Sequence, residues 1–367
     1  MLSCLAVSAK HLFLQETGCE PRTQNQNEPR IPNVVAVQFY QRALKAFSAL
    51  LMQSEWAGSD EILASSIMLS CYEIIDVAGD HFGSHLRGVA SLLQLWQVNG
   101  DSPGIGGIVF WTWFRSDTWA ALHARRPMFL DERYWEPRPV DCFDGLSQAE
   151  IANRAMYLLG QCINFYNHGK ESPSPSGLIN EGIEGSLEAR QRKMAELQSA
   201  LEGWRRMLPP SMTHFVAGRA VHGTTQGEEG LSRQDPWLQE ISSVLFLSPH
   251  CAVGLQMYHA SQILLGLNGA TWPSEPREAR GSYAQQSLST RRLIDRSRKQ
   301  ILLIASGGLP EAFSFVSTQC LYIAGWVTEG VCERRLTLHL IEQCQKQSGR
   351  RTVFIADDLR AAWARDE

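Results

Sequence analysis

Residues 60–96 read DEILASSIMLSCYEIIDVAGDHFGSHLRGVASLLQLW, and this stretch decides the fold. Its apolar residues recur every three or four positions, first over 63–78 and again over 86–96. That spacing places them along one face of an α-helix, which can be buried against a neighbouring element. A glycine-bearing break at 79–83 separates the two patterns. The stretch therefore predicts two amphipathic helices joined by a short connection.

The same helical spacing continues along most of the chain, and strand patterns are nearly absent. Residues 105–124 are apolar almost all round, which is typical of a helix in the middle of a bundle. The opening MLSCLAVSA also predicts a helix, because it lacks the basic start of a signal peptide. The other predicted helices cover 34–53, 147–168, 186–207, 236–268, 283–306, 309–345 and 353–365. We therefore predict an all-α fold, a multi-helix bundle with orthogonally packed helices.

Polar and Pro/Gly-rich stretches indicate where the chain divides. The longest reads NHGKESPSPSGLINEGIEG, residues 167–185, and predicts a loop or linker. It separates an N-terminal helical half, residues 1–166, from a C-terminal helical half, residues 186–367. We expect the second half to pack on the first.

The composition excludes several functional classes. The 367 residues are 44% hydrophobic and 20% charged, which suits a protein with a sizeable core. Their formal net charge of -4 lacks the basic excess with which proteins hold nucleic acid. The nine cysteines stand singly, which favours a reducing compartment, and no apolar stretch is long enough to span a membrane. We therefore expect an intracellular protein without direct contact to nucleic acid or membrane.

Five motifs follow one another between residues 39 and 135. They read FYQRALKAFSALL, DEILASSIMLSCYEIID, HLRGVASLL, VFWTWFRSDTWAAL and RRPMFLDERYW. In this order they resemble the fungal-specific transcription factor domain, the regulatory part of fungal zinc-cluster transcription factors. Weaker matches, LSCLAVSAKHL and LRAAWARDE with Trp363, extend the resemblance over nearly the whole chain. The residues that match the family motifs are Tyr40, Ala43, Asp60, Ala64, Leu69, Tyr72, Glu73, His85, Gly88, Ala90, Phe110, Trp111, Arg115, Asp117, Pro127, Leu130 and Trp135.

This resemblance implies a nuclear regulatory protein that binds a small effector or a partner and so modulates transcription. It also implies contacts with related regulators, as a homodimer or a heterodimer. The family's DNA-reading module places six closely spaced cysteines around two zinc ions, and no Cys-x-x-Cys occurs in these 367 residues. We therefore expect the chain to lack its own DNA-reading module.

The aromatic helix carries two charges, Arg115 and Asp117, whose burial is costly unless each is paired. In the simpler interpretation, each bonds to a partner such as Glu73, Asp76 or His85 on a neighbouring helix. That pairing would fix the register of the bundle.

A second interpretation is a ligand pocket. Trp111, Arg115 and Trp119 are spaced four apart and share one helix face, which offers aromatic walls and a fixed cation to an acidic ligand. Tyr72, on the Tyr-Glu-bearing helix, is a further ligand-binding candidate.

An enzyme is the alternative to a regulator, because the cysteine cluster is missing. It would be a cytoplasmic isomerase or cyclase of fungal secondary metabolism that uses the same pocket on its substrate. We expect no cofactor, since GIGG at 104–107 lacks the third glycine and the preceding strand of a nucleotide fingerprint. Ser248 with His250 likewise lacks the turn of a catalytic serine. The candidate catalytic residues are Asp76, His85, Arg115, Asp117 and His123.

The pair His81 and His85 has the spacing that places two imidazoles on one helix face for a metal. Gly83 lies between them and weakens a continuous helix there. We therefore predict no metal site and assign the polar residues to a helix start.

Overall fold

The structure is a computed structural model of the chain, and it describes residues 1–17, 31–56, 58–76, 83–168, 181–212, 214–216, 244–246, 248–269, 280–348 and 353–366. Helices dominate these residues, and the all-α prediction is confirmed. The helices are α1 (Leu2–Thr17), α2 (Asn33–Leu51), α3 (Asp60–Asp76), α4 (Gly83–Leu95), α5 (Gly104–Ala124), α6 (Gln148–His168), α7 (Glu181–Arg206), α8 (Pro249–Gly269), α9 (Arg280–Ser306), α10 (Ser314–Trp326), α11 (Val331–Ser348) and α12 (Val353–Asp366). None of them combines the length and apolarity that crossing a bilayer requires.

Two short strands, β1 (His214–Val216) and β2 (Val244–Phe246), pair antiparallel with Phe215 opposite Leu245. The prediction of a continuous helix over 236–268 is wrong at β2, and α8 begins only at Pro249. Four of the six strand residues are Val or Phe, types that favour extended backbone, and the pairing supplies backbone hydrogen bonds between the two strands. A partner distant in sequence therefore overrides the helical pattern at this point.

The predicted helix over 309–345 is divided in two, because α10 ends at Trp326 and α11 begins at Val331. Thr328 closes α10: its hydroxyl donates to the carbonyl of Ala324 at 2.8 Å, and its N–H donates to the carbonyl of Gly325 at 3.2 Å. These bonds satisfy carbonyls that the end of a helix leaves open.

The described residues group into two compact units. Unit 1 contains residues 1–139, 159–178 and 341–367, and unit 2 contains residues 140–158 and 179–340. Residues of α6 and α11 belong to both. The division predicted from the sequence, with halves 1–166 and 186–367, stays a prediction.

Local sequence signals set where several helices begin. At α6, Ser147 Oγ accepts the N–H of Glu150 at 3.2 Å, and Glu150 Oε2 accepts the N–H of Ser147 at 2.7 Å. This is a capping box, and the hydrogen bonds from Ser147 lower the pKa of Glu150. Before α3, Ser59 Oγ accepts the N–H of Ile62 at 3.3 Å.

Unit 2 is centred on α8 and α10, which pack against each other and against α9. Glycines allow close approach: a Cβ on Gly266 would lie 2.8 Å from Ile294 of α9. The indole of Trp204 on α7 donates to the carbonyl of Ile151 at 2.9 Å. The guanidinium of Arg298, which is buried, binds Glu333 of α11 and fixes α9 to it.

Candidate functional site

The aromatic helix α5 packs against α3 and α4 in unit 1. Trp113 and Trp119 are both almost fully buried, and the indole N–H of Trp113 donates to the carbonyl of Leu86 at 2.9 Å. The rings of Phe110 and Phe114 lie 5.9 Å apart on the same helix. The prediction of a helix that is buried on most sides is therefore confirmed.

Within this aromatic surrounding, Asp117 is fully buried and both of its carboxylate oxygens accept hydrogen bonds. Arg126 Nη2 donates to Oδ1 at 2.6 Å, and the backbone N–H of Phe129 donates to Oδ2 at 2.7 Å. Burial raises the pKa of Asp117, while Arg126 and the N–H of Phe129 act in the opposite direction. Because the carboxylate is fully buried and bonded to Arg126 and to the backbone at Phe129, the contacts favour a structural role for this residue.

The sequence suggested partners for Asp117 on neighbouring helices, but the partner is Arg126, nine residues further along the chain. The end of α5 explains this contact. Arg125 adopts the left-handed conformation with φ of 49°, and the N–H of Arg126 bonds back to the carbonyl of Ala121 at 3.1 Å. The chain thus reverses direction and carries Arg126 back beside the helix that it has just left.

Two asparagines of α6 hold the same exit segment, residues 126–129, from another helix. Asn164 Oδ1 accepts the N–H of Met128 at 2.8 Å. Asn167 Nδ2 donates to the carbonyls of Ala121 at 3.0 Å and of Arg126 at 2.7 Å. The sequence analysis missed both residues, although Gln161, Asn164 and Asn167, three amides spaced three positions apart in a predicted helix, are the signal that could have found them.

The exit segment also carries an aromatic ring that two cations approach. The guanidinium of Arg126 lies 3.8 Å from the centre of the Phe129 ring, and that of Arg87 on α4 lies 5.1 Å from it. Cations are attracted to the face of an aromatic ring, so Phe129 connects α4 to the exit from α5.

Arg115 and Trp111 lie one turn apart on α5, and both are half-buried. Burial lowers the pKa of Arg115 to about 10, which still leaves the guanidinium charged at neutral pH. The indole of Trp111 donates to the carbonyl of Gly100 at 3.1 Å, and its ring meets Trp135 edge to face at 5.6 Å. The first part of the predicted ligand face therefore lies at an aromatic corner with a cation next to it.

The other predicted ligand residues are buried more deeply. Trp119 is almost fully buried, and its ring lies 4.0 Å from that of His123. The His123 ring in turn lies 5.4 Å from Phe354 of α12. Tyr72 is also buried, with its ring stacked 4.3 Å from that of Tyr40. The ligand-contacting role of these residues stays a proposal.

Glu73 of α3 receives two side chains from neighbouring helices. The hydroxyl of Tyr40 on α2 donates to Glu73 Oε1 at 2.6 Å, and His85 Nδ1 of α4 lies 2.5 Å from the same oxygen. The close contact with the Glu73 carboxylate raises the pKa of His85, and burial of the imidazole opposes that effect. His85 is thus paired with Glu73. The sequence analysis had suggested both residues as partners of Arg115 or Asp117 instead.

For two residues that the sequence analysis considered, Asp76 as a catalytic candidate and His81 as a possible metal ligand, the structure gives no side-chain position. The side chain of Asp76 and all of His81 lie outside the described residues. In unit 2, Ser248 Oγ accepts the N–H of His250 at 3.3 Å at the start of α8, so this hydroxyl acts at a helix start. Within the described ranges, no group of three His, Cys, Asp or Glu side chains is arranged to hold a metal ion.

Comparison with known proteins defines the class. The profile of the fungal-specific transcription factor domain matches residues 1–216, which include α1 to α7, and the chain belongs to this family. The match contains all of the α5 residues described above and extends well beyond the motifs at 39–135.

Two curated relatives are similar to the chain. A transcription activator of Alternaria alternata, AMTR1, is 24% identical over 353 residues, which cover 84% of this chain and 44% of the activator. An uncharacterized protein of Emericella nidulans is 30% identical over 104 residues, which cover 28% of this chain and 22% of that protein. The chain thus spans less than half the length of either relative. No solved structure matches it.

Proposed function

We propose that this chain regulates transcription by binding a small acidic effector in unit 1, and that it acts in the nucleus. The family and the activator of Alternaria alternata both support a role in transcription regulation. Effector binding goes further than these comparisons and rests on the chemistry of α5.

Arg115 is the observation that carries the effector proposal. Its charged guanidinium lies one helical turn from Trp111. Burial there lowers the pKa of Arg115 to about 10. A carboxylate that reaches this guanidinium forms a charge-assisted hydrogen bond with it, and the tryptophan ring adds apolar contact. An acidic compound with an aromatic or aliphatic body fits both requirements.

Intrinsic tryptophan fluorescence measures binding, because Trp111 at this corner is one of the 11 tryptophans that emit, and the Arg115 variant below assigns the signal to this site. The protein is titrated with a panel of small carboxylates that includes acetate, benzoate, citrate and short fatty acids. We expect at least one of them to change the emission with saturation, and Arg115→Gln to weaken that binding at least tenfold.

The matched control is Arg42→Gln, which removes an exposed arginine of α2 in the same unit. Its binding should equal that of the unchanged protein. If the panel gives no saturable signal, or if both substitutions weaken binding equally, Arg115 does not define an effector site.

We also propose that the chain associates with itself or with a related regulator, as the family resemblance implies. Light scattering after size exclusion measures this, and a mass above the 41.1 kDa of one chain is expected at micromolar concentration. A mass of one chain, unchanged when the chain is mixed with a related regulator, contradicts the proposal.

A further inference from the structure

The first turn of α4 contacts three different parts of unit 1 through three consecutive residues. His85 lies 2.5 Å from Glu73 of α3, and the carbonyl of Leu86 accepts the indole N–H of Trp113 on α5. Arg87 then packs on the ring of Phe129. Because α3, α5 and the exit segment are all reached from one helical turn, that turn is a junction of the unit.

Glu73 is the centre of one arm of this junction. Its Oε1 atom receives the hydroxyl of Tyr40 from α2 and the imidazole of His85 from α4, at 2.6 and 2.5 Å. The Tyr40 ring is held in place by stacking on Tyr72, which is buried. One carboxylate oxygen therefore joins α2, α3 and α4.

His85 is the group in this arm that titrates near neutral pH, because an imidazole ordinarily has a pKa of about 6.5. Its side chain is 38% exposed, so protons reach it from solvent, while that of Glu73 is 18% exposed. A partly shielded pair of this kind interacts more strongly than a fully exposed one.

Among the charged side chains that the structure describes on α3 and α5, only Glu73 is among the groups that shift the pKa of His85. On α3, Asp60 and Glu61 occupy the opposite end of the helix, and the side chain of Asp76 lies outside the described residues. On α5, the carboxylate of Asp117 binds Arg126, and Arg115 is not among the groups that shift the pKa of His85.

We propose that His85 and Glu73 form a pH-dependent latch, in which a proton on His85 holds the first turn of α4 against α3 and its loss loosens that turn. This goes beyond the proposed effector site and does not depend on it. The sign follows from the pairing, since the close contact with the Glu73 carboxylate raises the pKa of His85. The latch is fully closed below the ordinary histidine pKa, and its contribution is lost as pH rises through the raised value.

Hydrogen exchange of the full chain, read by mass spectrometry on peptides from α4, tests the latch. Exchange is measured between pH 5.5 and 8.5 and corrected for the intrinsic pH dependence of amide exchange. We expect the protection of α4 to fall several-fold over this range, and by no more than about tenfold per pH unit, the limit for one proton. In His85→Gln, the protection of α4 should be as low at every pH as it is in the unchanged protein at pH 8.5, and it should not change with pH.

The control is His168→Gln, at the exposed end of α6 in the same unit, which should keep the full pH dependence. Glu73→Gln retains an acceptor for Tyr40 and removes the charge, so it separates the latch from a folding defect. It should lower the pKa of His85, followed by the NMR shift of the imidazole, and should abolish the fall in α4 protection. The latch is excluded if α4 protection does not change with pH, or if it changes equally in His85→Gln.

Discussion

Two aspartate–arginine pairs in unit 1 have the same separation and different surroundings. Asp117 and Arg126 lie 2.6 Å apart with exposed side-chain fractions of 0% and 22%, while Asp131 and Arg133 lie 2.6 Å apart with fractions of 40% and 87%. Water screens the second pair and solvates either partner when the other is removed. The first pair leaves an uncompensated charge if one partner is lost.

We therefore expect Asp117→Asn to lower the free energy of unfolding by about 2 to 4 kcal/mol, because Arg126 loses its counterion in a buried site. The matched control Asp131→Asn should cost less than about 1 kcal/mol. Urea unfolding at pH 7 and constant salt measures both. Equal losses of unfolding free energy in the two variants would show that burial does not determine how much each ion pair contributes to stability.

At the scale of helices, the contact between α5 and α6 depends on a glycine. A Cβ on Gly160 of α6 would lie 2.9 Å from the ring of Phe114 and 3.0 Å from the sulfur of Met128. The same helix supplies Asn164 and Asn167, which bind the exit segment. Close approach of α6 therefore places its amides within hydrogen-bonding distance of that segment.

Gly160→Ala is expected to destabilise the protein by about 1 to 3 kcal/mol, because the added methyl group crowds a packed core. Gly88→Ala on α4 is the control, since a Cβ there meets no atom within 4 Å. It should stabilise the protein by about 0.5 to 1 kcal/mol through helix propensity. Thermal unfolding measures the stability of both variants. A Gly160→Ala protein as stable as Gly88→Ala would refute the packing argument.

At the scale of the whole molecule, net charge and cysteine spacing predict how these residues interact with DNA. Its formal net charge is -4, and its 367 residues contain no Cys-x-x-Cys of the kind that holds a zinc cluster. A protein that binds DNA tightly neutralises phosphates with an excess of Lys and Arg. Both features predict that these residues by themselves do not select a DNA sequence.

Fluorescence anisotropy with labelled duplexes at physiological salt checks this prediction. We expect binding no tighter than about 1 μM, the upper range of non-specific affinity, and equal competition by unrelated duplexes. The positive control is a fusion of the chain to a characterised DNA-binding domain, which should bind the DNA site of that domain specifically. Sequence-specific binding by the unfused chain would overturn the expectation.

Sequence periodicity was sufficient for much of the fold. It predicted α3 and α5 to within about three residues of their observed ends, because an apolar stripe is a local property of the chain. It was wrong at β2, where pairing with a distant segment decides the conformation. Periodicity also missed the division between α10 and α11, where Thr328 closes the first helix.

The amino-acid sequence by itself determined that this protein is helical, that α5 is buried on most sides, and which family it belongs to. These properties follow from residue spacing and ordered motifs, which do not depend on the path of the chain. Only the tertiary structure decided that Asp117 bonds to Arg126 and that Tyr40 and His85 share one oxygen of Glu73. Such partners depend on how the turn after α5 and the packing of α2, α3 and α4 bring side chains within about 3 Å, a distance that spacing along the chain does not specify.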